Sequence, residues 1–538
     1  PRCMTSLFDQ AKIDLHEKYG RPHNNQPMVN DIILHEVGDT MTFWNWDLSI
    51  MPPQWILVPA TCRAVTEHAY VFVADDQWNV HMDSDDVAQV AYYWEEGTYN
   101  DSTSGIYELD TENFGQPPDE LDDDDHIYIF YSELGSYQGS VFDGYFSVFN
   151  EYTEEEAQDM GGHSNEVEMF YMSCHPGDPV SPIRISVLAH EFEHMIHWAA
   201  DPNEESWVDE GCAEYAMLLF GMPDPLVSFP NNPNNDLTQW DNQFADYIKT
   251  FMFFTYLSDH YGGAETIRTI VQEQQNSVGG VQMALINMGY SQPFESIFLD
   301  WTAANFYHGR GGADMPYPDS HYVYYSIDPP AFHISQHFND HPGEGNITGV
   351  QSWAAKYVAF NCSDWVMINI YNQNEAESGF GWFEYSAPGN ISLEWASLGI
   401  DSQWDTHHYD PNDYTAALVC GLGEYPTYNF EYVSEIVNKI DIAPGIANDF
   451  YINQIYPNPF NNNTLIRYSS PANSSADLEI YDIAGRLVRN WRITDNQNTG
   501  EIIWDGKNND GEDAVSGIYL FKLSDSENSQ IIKGTLLK

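Results

Sequence analysis

Ser186-Val-Leu-Ala-His190-Glu191-Phe-Glu193-His194-Met-Ile-His197-Trp-Ala-Ala200 is the stretch on which the reading of this chain turns. Apolar residues recur through it at spacings of three and four, the period of a helix with one buried face. On a helix, positions i and i+4 share a face, so the imidazoles of His190 and His194 converge on one point. Glu191, one residue along, can reach a water held there. Two neutral imidazoles, an open position and a carboxylate to take a proton are what a hydrolytic zinc site needs. A third protein ligand is still required. His197 shares the face, but one helix rarely supplies three ligands to a tetrahedral ion, and the HExxHxxGxxH spacing is absent because position 200 is Ala. The next helical stretch, Ser206-Trp-Val-Asp-Glu-Gly-Cys-Ala-Glu-Tyr215, offers Glu210 and Glu214, again i and i+4. One can bind the metal while the other accepts the outer N–H of a ligating histidine.

Outward from this core, residues 30–150 read as β-rich with one helix. Thr61 to Ala74 and His126 to Tyr131 are strand-like, and Ser84 to Glu96 carries Val87, Val90, Ala91 and Trp94 on one helical face. Ile185 to Ala200, Trp207 to Gly221, Phe244 to Tyr261 and Gly263 to Gln274 read as helices. Residues 306–345, rich in Pro, His, Gly and Tyr, look like a connection. Short strands return over 346–447, and 450–538 form a last all-β unit. The expected architecture is a multidomain α+β chain. Residues 1–305 form the first domain (β-rich over 1–180, helical over 181–305), 346–447 an accessory β-sandwich, and 450–538 an Ig-like sandwich.

The motif residues resemble the gluzincin metallopeptidases, a zincin-type α+β fold in which a glutamate from a following helix completes an HExxH site. The phrase W-x-x-E-G-x-A-E is similar to the hyicolysin-type and aminopeptidase-type branches, where the glutamate before the glycine is the ligand. That resemblance points to Glu210 as ligand and Glu214 as the outer carboxylate. Glu210 gives a spacing of HExxH-x15-E, and Glu214 gives x19, the thermolysin-like one. Asp122 to Ser132 and Ser164 to Tyr171 resemble the segments that precede the zinc helix in hyicolysin-like enzymes. Tyr247, in Tyr247-Ile-Lys-Thr, looks like the tyrosine that donates to the oxyanion in the aminopeptidase branch; His260 is the weaker candidate. The resemblance implies a secreted zinc endopeptidase acting on protein or peptide substrates. Zinc would lower the pKa of its water from near 16 to roughly 7, and Glu191 would act as general base.

Residues 451–538 carry a second text: Tyr456-Pro-Asn-Pro-Phe460, Leu478 to Arg489, Trp504 to Leu523 and Lys533 to Lys538. Alternating strands meet at Ala484-Gly485 and at Asn508 to Gly511, where turns need permissive backbones. This segment resembles the C-terminal sorting domain of the type IX secretion system of Bacteroidota. The resemblance implies export by that machinery, then release or attachment at the cell surface.

Composition excludes several classes. With 19 Lys+Arg against 82 Asp+Glu, the 538-residue chain has a formal charge of −63. Nucleic-acid affinity is built from cations neutralising phosphates, so no nucleic-acid partner is expected. The charge is uneven: net −59 up to residue 448 and −4 beyond it. The acid suits solubility, or Ca2+ bound by clusters such as Asp83, Asp85, Asp86 and Asp122 to Asp125. Six cysteines are too few for a disulfide scaffold, although Cys362 and Cys420 share one β-rich stretch. No run is long enough for a membrane span; the longest apolar run, Phe251 to Leu257, suits a core helix. The start at Pro1, with neither an initiator Met nor a signal peptide, reads as a processed end. Serine and cysteine hydrolase motifs are missing, as is a G-A-M-E-N-like exopeptidase motif. The rival from another class is an extracellular structural, adhesive or self-assembling subunit that keeps a peptidase fold without using it.

Overall fold

The computed structural model describes residues 3–21, 34–50, 52–311 (save 120, 123, 138 and 139), most of 322–436 and most of 451–536. The backbone divides into two compact units, Pro1–Ile436 and Val437–Lys538.

The first unit is built on a six-stranded mixed sheet. Its strands are β1 (Thr40–Asp47), β2 (Gln54–Val65), β3 (Ala69–Ala74), β4 (Ile127–Ser132), β7 (Gly144–Phe146) and β8 (Met169–Ser173); β5 (Ser136–Tyr137) and β6 (Ser140–Val141) form a separate small ribbon. The order is β1-β2-β3-β4-β8-β7, parallel from β3 through β4 to β8 and antiparallel elsewhere. Every residue of β3, β4 and β8 is buried, as expected of parallel strands covered on both faces. The expected strand from Thr61 to Ala74 is two strands, because the chain reverses at Thr66–His68 and pairs β2 with β3.

Among the described residues, ten helices accompany this sheet. After the short α1 (Asp9–Tyr19) come α2 (Ser84–Glu95) and α3 (Ile106–Asn113), which cross from β3 to β4. Asp83 and Asp86 close α2 with a reciprocal capping box, and its face of Val87, Val90 and Trp94 is the one the sequence predicts. α4 (Glu154–Asp159) precedes β8. Then α5 (Pro182–Ala200), α6 (Ser206–Phe220) and α7 (Phe244–His260) pack in succession. α5 is buried from Arg184 to Trp198 without interruption, so it is a central helix, covered by β7, β8 and α3 as well as by α6. Pro182 starts it without losing a hydrogen bond, since the first-turn N–H groups have no partner in the helix. Gly221, with φ of 103°, ends α6 in the left-handed conformation. α8 (Ala264–Val271), α9 (Ser277–Asn287) and α10 (Phe294–Gly311) complete the set.

Two further sheets face each other in the same unit. One has the strands Gly343–Val350, Tyr428–Ile436, Val366–Asn372 and Gln403–Asp405; the other has Asn390–Leu398, Ser378–Ala387, Tyr414–Gly421, Ala355–Phe360 and Ile334–Phe338. Side chains alternate across this second sheet. Val358, Phe360, Ala417 and Val419 fill the sandwich, whereas Ala355, Tyr357, Ala416, Leu418 and Cys420 join the main core with the helices. Tyr357 donates its hydroxyl hydrogen to the Thr302 carbonyl of α10 at 2.7 Å. The stretch 306–345, read as a connection, thus holds the end of α10 and the strand Ile334–Phe338. Cys420 is buried and unbridged; Cys362 lies outside the described residues.

The second unit is a sandwich of three strands (Tyr451–Tyr456, Thr464–Ser469, Thr499–Trp504) and four (Leu487–Ile493, Ala476–Asp482, Gly517–Ser524, Ser529–Leu536). Ile466, Leu478, Ile480, Trp504 and Phe521 form its core. The expected turns fall at Gly485 and Gly511, both with positive φ; Ala484 and Asp510 lie outside the described residues. Among the described residues, no helix is long and apolar enough to cross a membrane.

Candidate metal centre

One turn of α5 separates His190 from His194, and their Nε2 atoms lie 3.2 Å apart. α6 delivers Glu210 to the same point: its Oε2 is 3.3 Å from His190 Nε2 and 3.6 Å from His194 Nε2. A fourth donor arrives from an unforeseen place. Cys3, far upstream in the chain, has Sγ 3.5 Å from His194 Nε2, and the donor atoms of Cys3, His190, His194 and Glu210 all lie within 4.8 Å of one another. In a tetrahedral zinc site with Zn–N near 2.05 Å and Zn–S near 2.3 Å, neighbouring donors stand about 3.4 Å (N to N or O) and about 3.6 Å (N to S) apart. The observed separations are those edges within a few tenths of an ångström. All four residues are buried. Neither Glu210 oxygen makes a hydrogen bond of ordinary geometry, a costly state for a buried carboxylate unless a cation meets it. Two imidazoles, a carboxylate and a thiol are the donor types zinc takes.

The outer groups follow the histidines. Asp209 Oδ1 is 2.9 Å from His194 Nδ1, while Asp209 Oδ2 accepts from Lys12 Nζ, also at 2.9 Å. Burial opposes ionisation of Asp209, but Lys12 and His194 overcome it and hold its carboxyl well below the usual range. Glu214 stands behind His190, with Oε1 3.6 Å from Nδ1. His197 faces away from the four donors, toward Glu193 and Asp209, each 3.4 Å from its Nδ1. Cys212 lies in that same neighbourhood, beside Glu193 and His197. Asp209 went unnoticed in the sequence because its partners Lys12 and His194 come from two other helices.

Glu191 is buried between the donors and the sheet edge. Its Oε2 accepts from Thr5 Oγ1 at 3.2 Å and lies 3.4 Å from Cys3 Sγ. Burial pushes its carboxyl up to about 8; the proximity of His194 lowers it and that of Glu210 raises it. Gly144 is what lets it sit there: a Cβ on Gly144 would come within 3.0 Å of Glu191 Cγ and Oε1 and of Met172 Sδ. Tyr247 reaches the centre from α7, packs edge-on to Trp240 and donates its hydroxyl hydrogen to the Cys3 carbonyl at 2.9 Å. His260, about 20 Å further along α7 at 1.5 Å per residue, is 2.7 Å from the Val323 carbonyl instead.

The acidic clusters considered for calcium are distributed differently. Asp83 and Asp86 are engaged in the α2 cap, Asp124 accepts from Tyr70 and pairs with His126, and Asp123 lies outside the described residues.

Residues 454–536 match the family described as the secretion system C-terminal sorting domain. This part of the chain is a type IX secretion sorting domain, the mark of a secreted protein, often one attached to the cell surface. A search of curated proteins finds no match. Among solved structures, the chain overlaps PorZ, a surface component of the type IX secretion system of Porphyromonas gingivalis, at 22% identity, over 18% of this chain and 13% of that one, with a TM-score of 0.13. It overlaps latent dimeric PorU of the same organism at 16% identity, over 38% and 19%, with a TM-score of 0.17. A β-glucuronidase of Parabacteroides merdae overlaps at 5% identity, over 34% and 27%, with a TM-score of 0.15. The chain thus spans under a third of each of these three, and none of the overlaps reaches far enough to carry the assignment beyond residues 454–536.

Proposed function

We propose that the first unit is a secreted zinc-dependent endopeptidase of the gluzincin type. The observation that carries this reading is the convergence of His190, His194 and Glu210 at separations that match the edges of a zinc tetrahedron, with Glu191 and Tyr247 beside them. His190, His194 and Glu210 would hold the ion. When bound, zinc supplies Lewis acidity to a scissile carbonyl and acidity to a water.

The remaining work belongs to the protein's own groups. Glu191 Oε2 takes the proton of the attacking water and returns it to the departing amine nitrogen. Tyr247 donates to the carbonyl oxygen as negative charge develops on it. Its hydrogen bond to a peptide carbonyl, that of Cys3, supports this role. Asp209 fixes the ring of His194 and favours its Nδ1–H tautomer, leaving Nε2 as a lone-pair donor. The edge strand β7 aligns an extended peptide by backbone pairing, as the bond from Met4 N–H to Gly144 C=O at 3.3 Å illustrates.

The test is chelator-sensitive hydrolysis of unfolded casein, with bound zinc quantified, for the native chain and Cys3→Ala, each with and without Glu191→Gln. The expected result is a zinc-loaded Cys3→Ala chain that cleaves casein, stops with chelator and is silenced by Glu191→Gln with zinc retained. Zinc bound in every form with no cleavage in any would favour the surface-subunit reading, and absence of zinc throughout would remove the site.

A further inference from the structure

We propose that Cys3 is the fourth metal ligand and that residues 3–19 are a built-in inhibitory segment, latched to the site by Lys12. This rests on the zinc-site reading and concerns the regulation of that same site.

The first support is position. Cys3 Sγ stands where a hydrolytic site leaves its open coordination position, 3.5 Å from His194 Nε2 and 3.4 Å from Glu191 Oε2. The first distance is close to the N–S edge of a zinc tetrahedron, about 3.6 Å. With a sulfur there, water is excluded and Glu191 has nothing to deprotonate except the thiol. A site of this type with four protein ligands is closed, whereas a catalytic one keeps an exchangeable position.

The second support is how thoroughly the segment imitates an occupant. Its backbone adds to the β7 edge: Cys3 bridges to Gly144 in parallel fashion, and Met4 N–H donates to the Gly144 carbonyl. Thr5 Oγ1 accepts from Phe146 N–H at 2.9 Å and donates to Glu191 Oε2. Tyr247 spends its hydroxyl on the Cys3 carbonyl. The segment therefore engages the general base, the oxyanion donor and the edge strand at once.

The third support is the latch. Lys12, buried on α1, donates to Asp209 Oδ2, whose other oxygen holds His194. Asp9 accepts from Ser206 at the start of α6. Phe8 inserts among Trp46, Tyr145 and Phe149. A buried lysine paired with a buried aspartate resists loss of either partner, because the survivor is left as an uncompensated charge.

Closure and opening balance without any redox partner. On closing, a water leaves the site, and Sγ gives its proton to Glu191 Oε2 or to solvent and donates an electron pair to the metal. On opening, sulfur leaves with that pair and recovers a proton, and a water takes its place.

Replacement of zinc by Co2+ in the full chain tests this without relying on activity. The native chain should show a near-ultraviolet thiolate-to-cobalt charge-transfer band, and Cys3→Ala and Cys3→Ser should lose it while still binding Co2+. The native holoprotein should also titrate one thiol fewer with a disulfide reagent than its chelated form, and that difference should vanish in Cys3→Ala. Lys12→Met, which keeps the sulfur but cuts the latch, should expose the thiol and raise casein hydrolysis at least tenfold. Co2+ bound by the native chain with no such band, or a Cys3 thiol equally reactive with and without metal, overturns the proposal and leaves the endopeptidase reading standing. No Co2+ bound by any form overturns both. Should Cys3→Ala fail to fold, the thiol titration of the native chain and Lys12→Met decide alone.

Discussion

On the proposed mechanism, a single carboxylate, that of Glu191, separates hydrolysis from mere metal binding. In the Cys3→Ala background, Glu191→Gln is expected to lower casein hydrolysis by about 10²–10⁴-fold with zinc content unchanged by metal analysis. If Tyr247 donates to the oxyanion as proposed, Tyr247→Phe should cost about 10²–10³ in kcat with KM little altered. Asp209→Asn acts through His194, and zinc affinity in competition with a chromophoric chelator should fall by about 10–100-fold. The convergence of His190, His194 and Glu210 was legible in the sequence because a helix converts spacing into direction. Cys3 and Asp209 were not. Nothing near Cys3 announces that the chain start folds onto a site almost two hundred residues away, and Asp209 becomes meaningful only once Lys12 and His194 flank it.

Between elements, close approach and burial decide. Gly211 follows Glu210 and lies where α6 meets α7: a Cβ there would come within 2.4 Å of the Phe254 ring. Gly211→Ala must displace the buried Phe254 ring or spread the two helices that carry Glu210 and Tyr247. It should destabilise the fold by about 1–3 kcal/mol, read as a lowered thermal midpoint. The link between α5 and α6 holds Glu204, which accepts from Ser277 N–H at 2.8 Å. Burial pushes its carboxyl up to about 7, against the lowering by that N–H and by His197. Since the folded value lies above the unfolded one, its contribution is complete below the ordinary glutamate range and is lost as pH rises through about 7. The stability of the native chain relative to Glu204→Gln should therefore fall between pH 5 and 8 in denaturant titrations. Helices α2 and α5–α7 fall where apolar periodicity puts them. The sheet was less legible, because the turn at Thr66–His68 has no Gly or Pro to mark it and the place of β7 at the edge depends on pairing with β8.

For the whole molecule, the sorting domain accounts for residues 454–536. Its turn glycines and alternating strands made residues 450–538 readable. The sandwich before it was harder to place, because one of its sheets buries both faces, one against its partner sheet and one against α10. Deleting residues 454–536 should leave the chain inside a type IX-competent host cell, as cell fractionation and immunoblotting would show.

The segment that carries Cys3 also lies along the backbone of a sheet margin. Lifting it away uncovers unpaired amide and carbonyl groups, the kind of margin through which proteins stick to one another. Here that margin is the three-residue strand Gly144–Phe146. It is long enough to register one short stretch of unfolded polypeptide by its main chain, whatever the side chains, and too short to seed a growing stack of copies. On the reading proposed above, an opened molecule would thus combine broad appetite with colloidal safety, a useful pairing for a secreted protein.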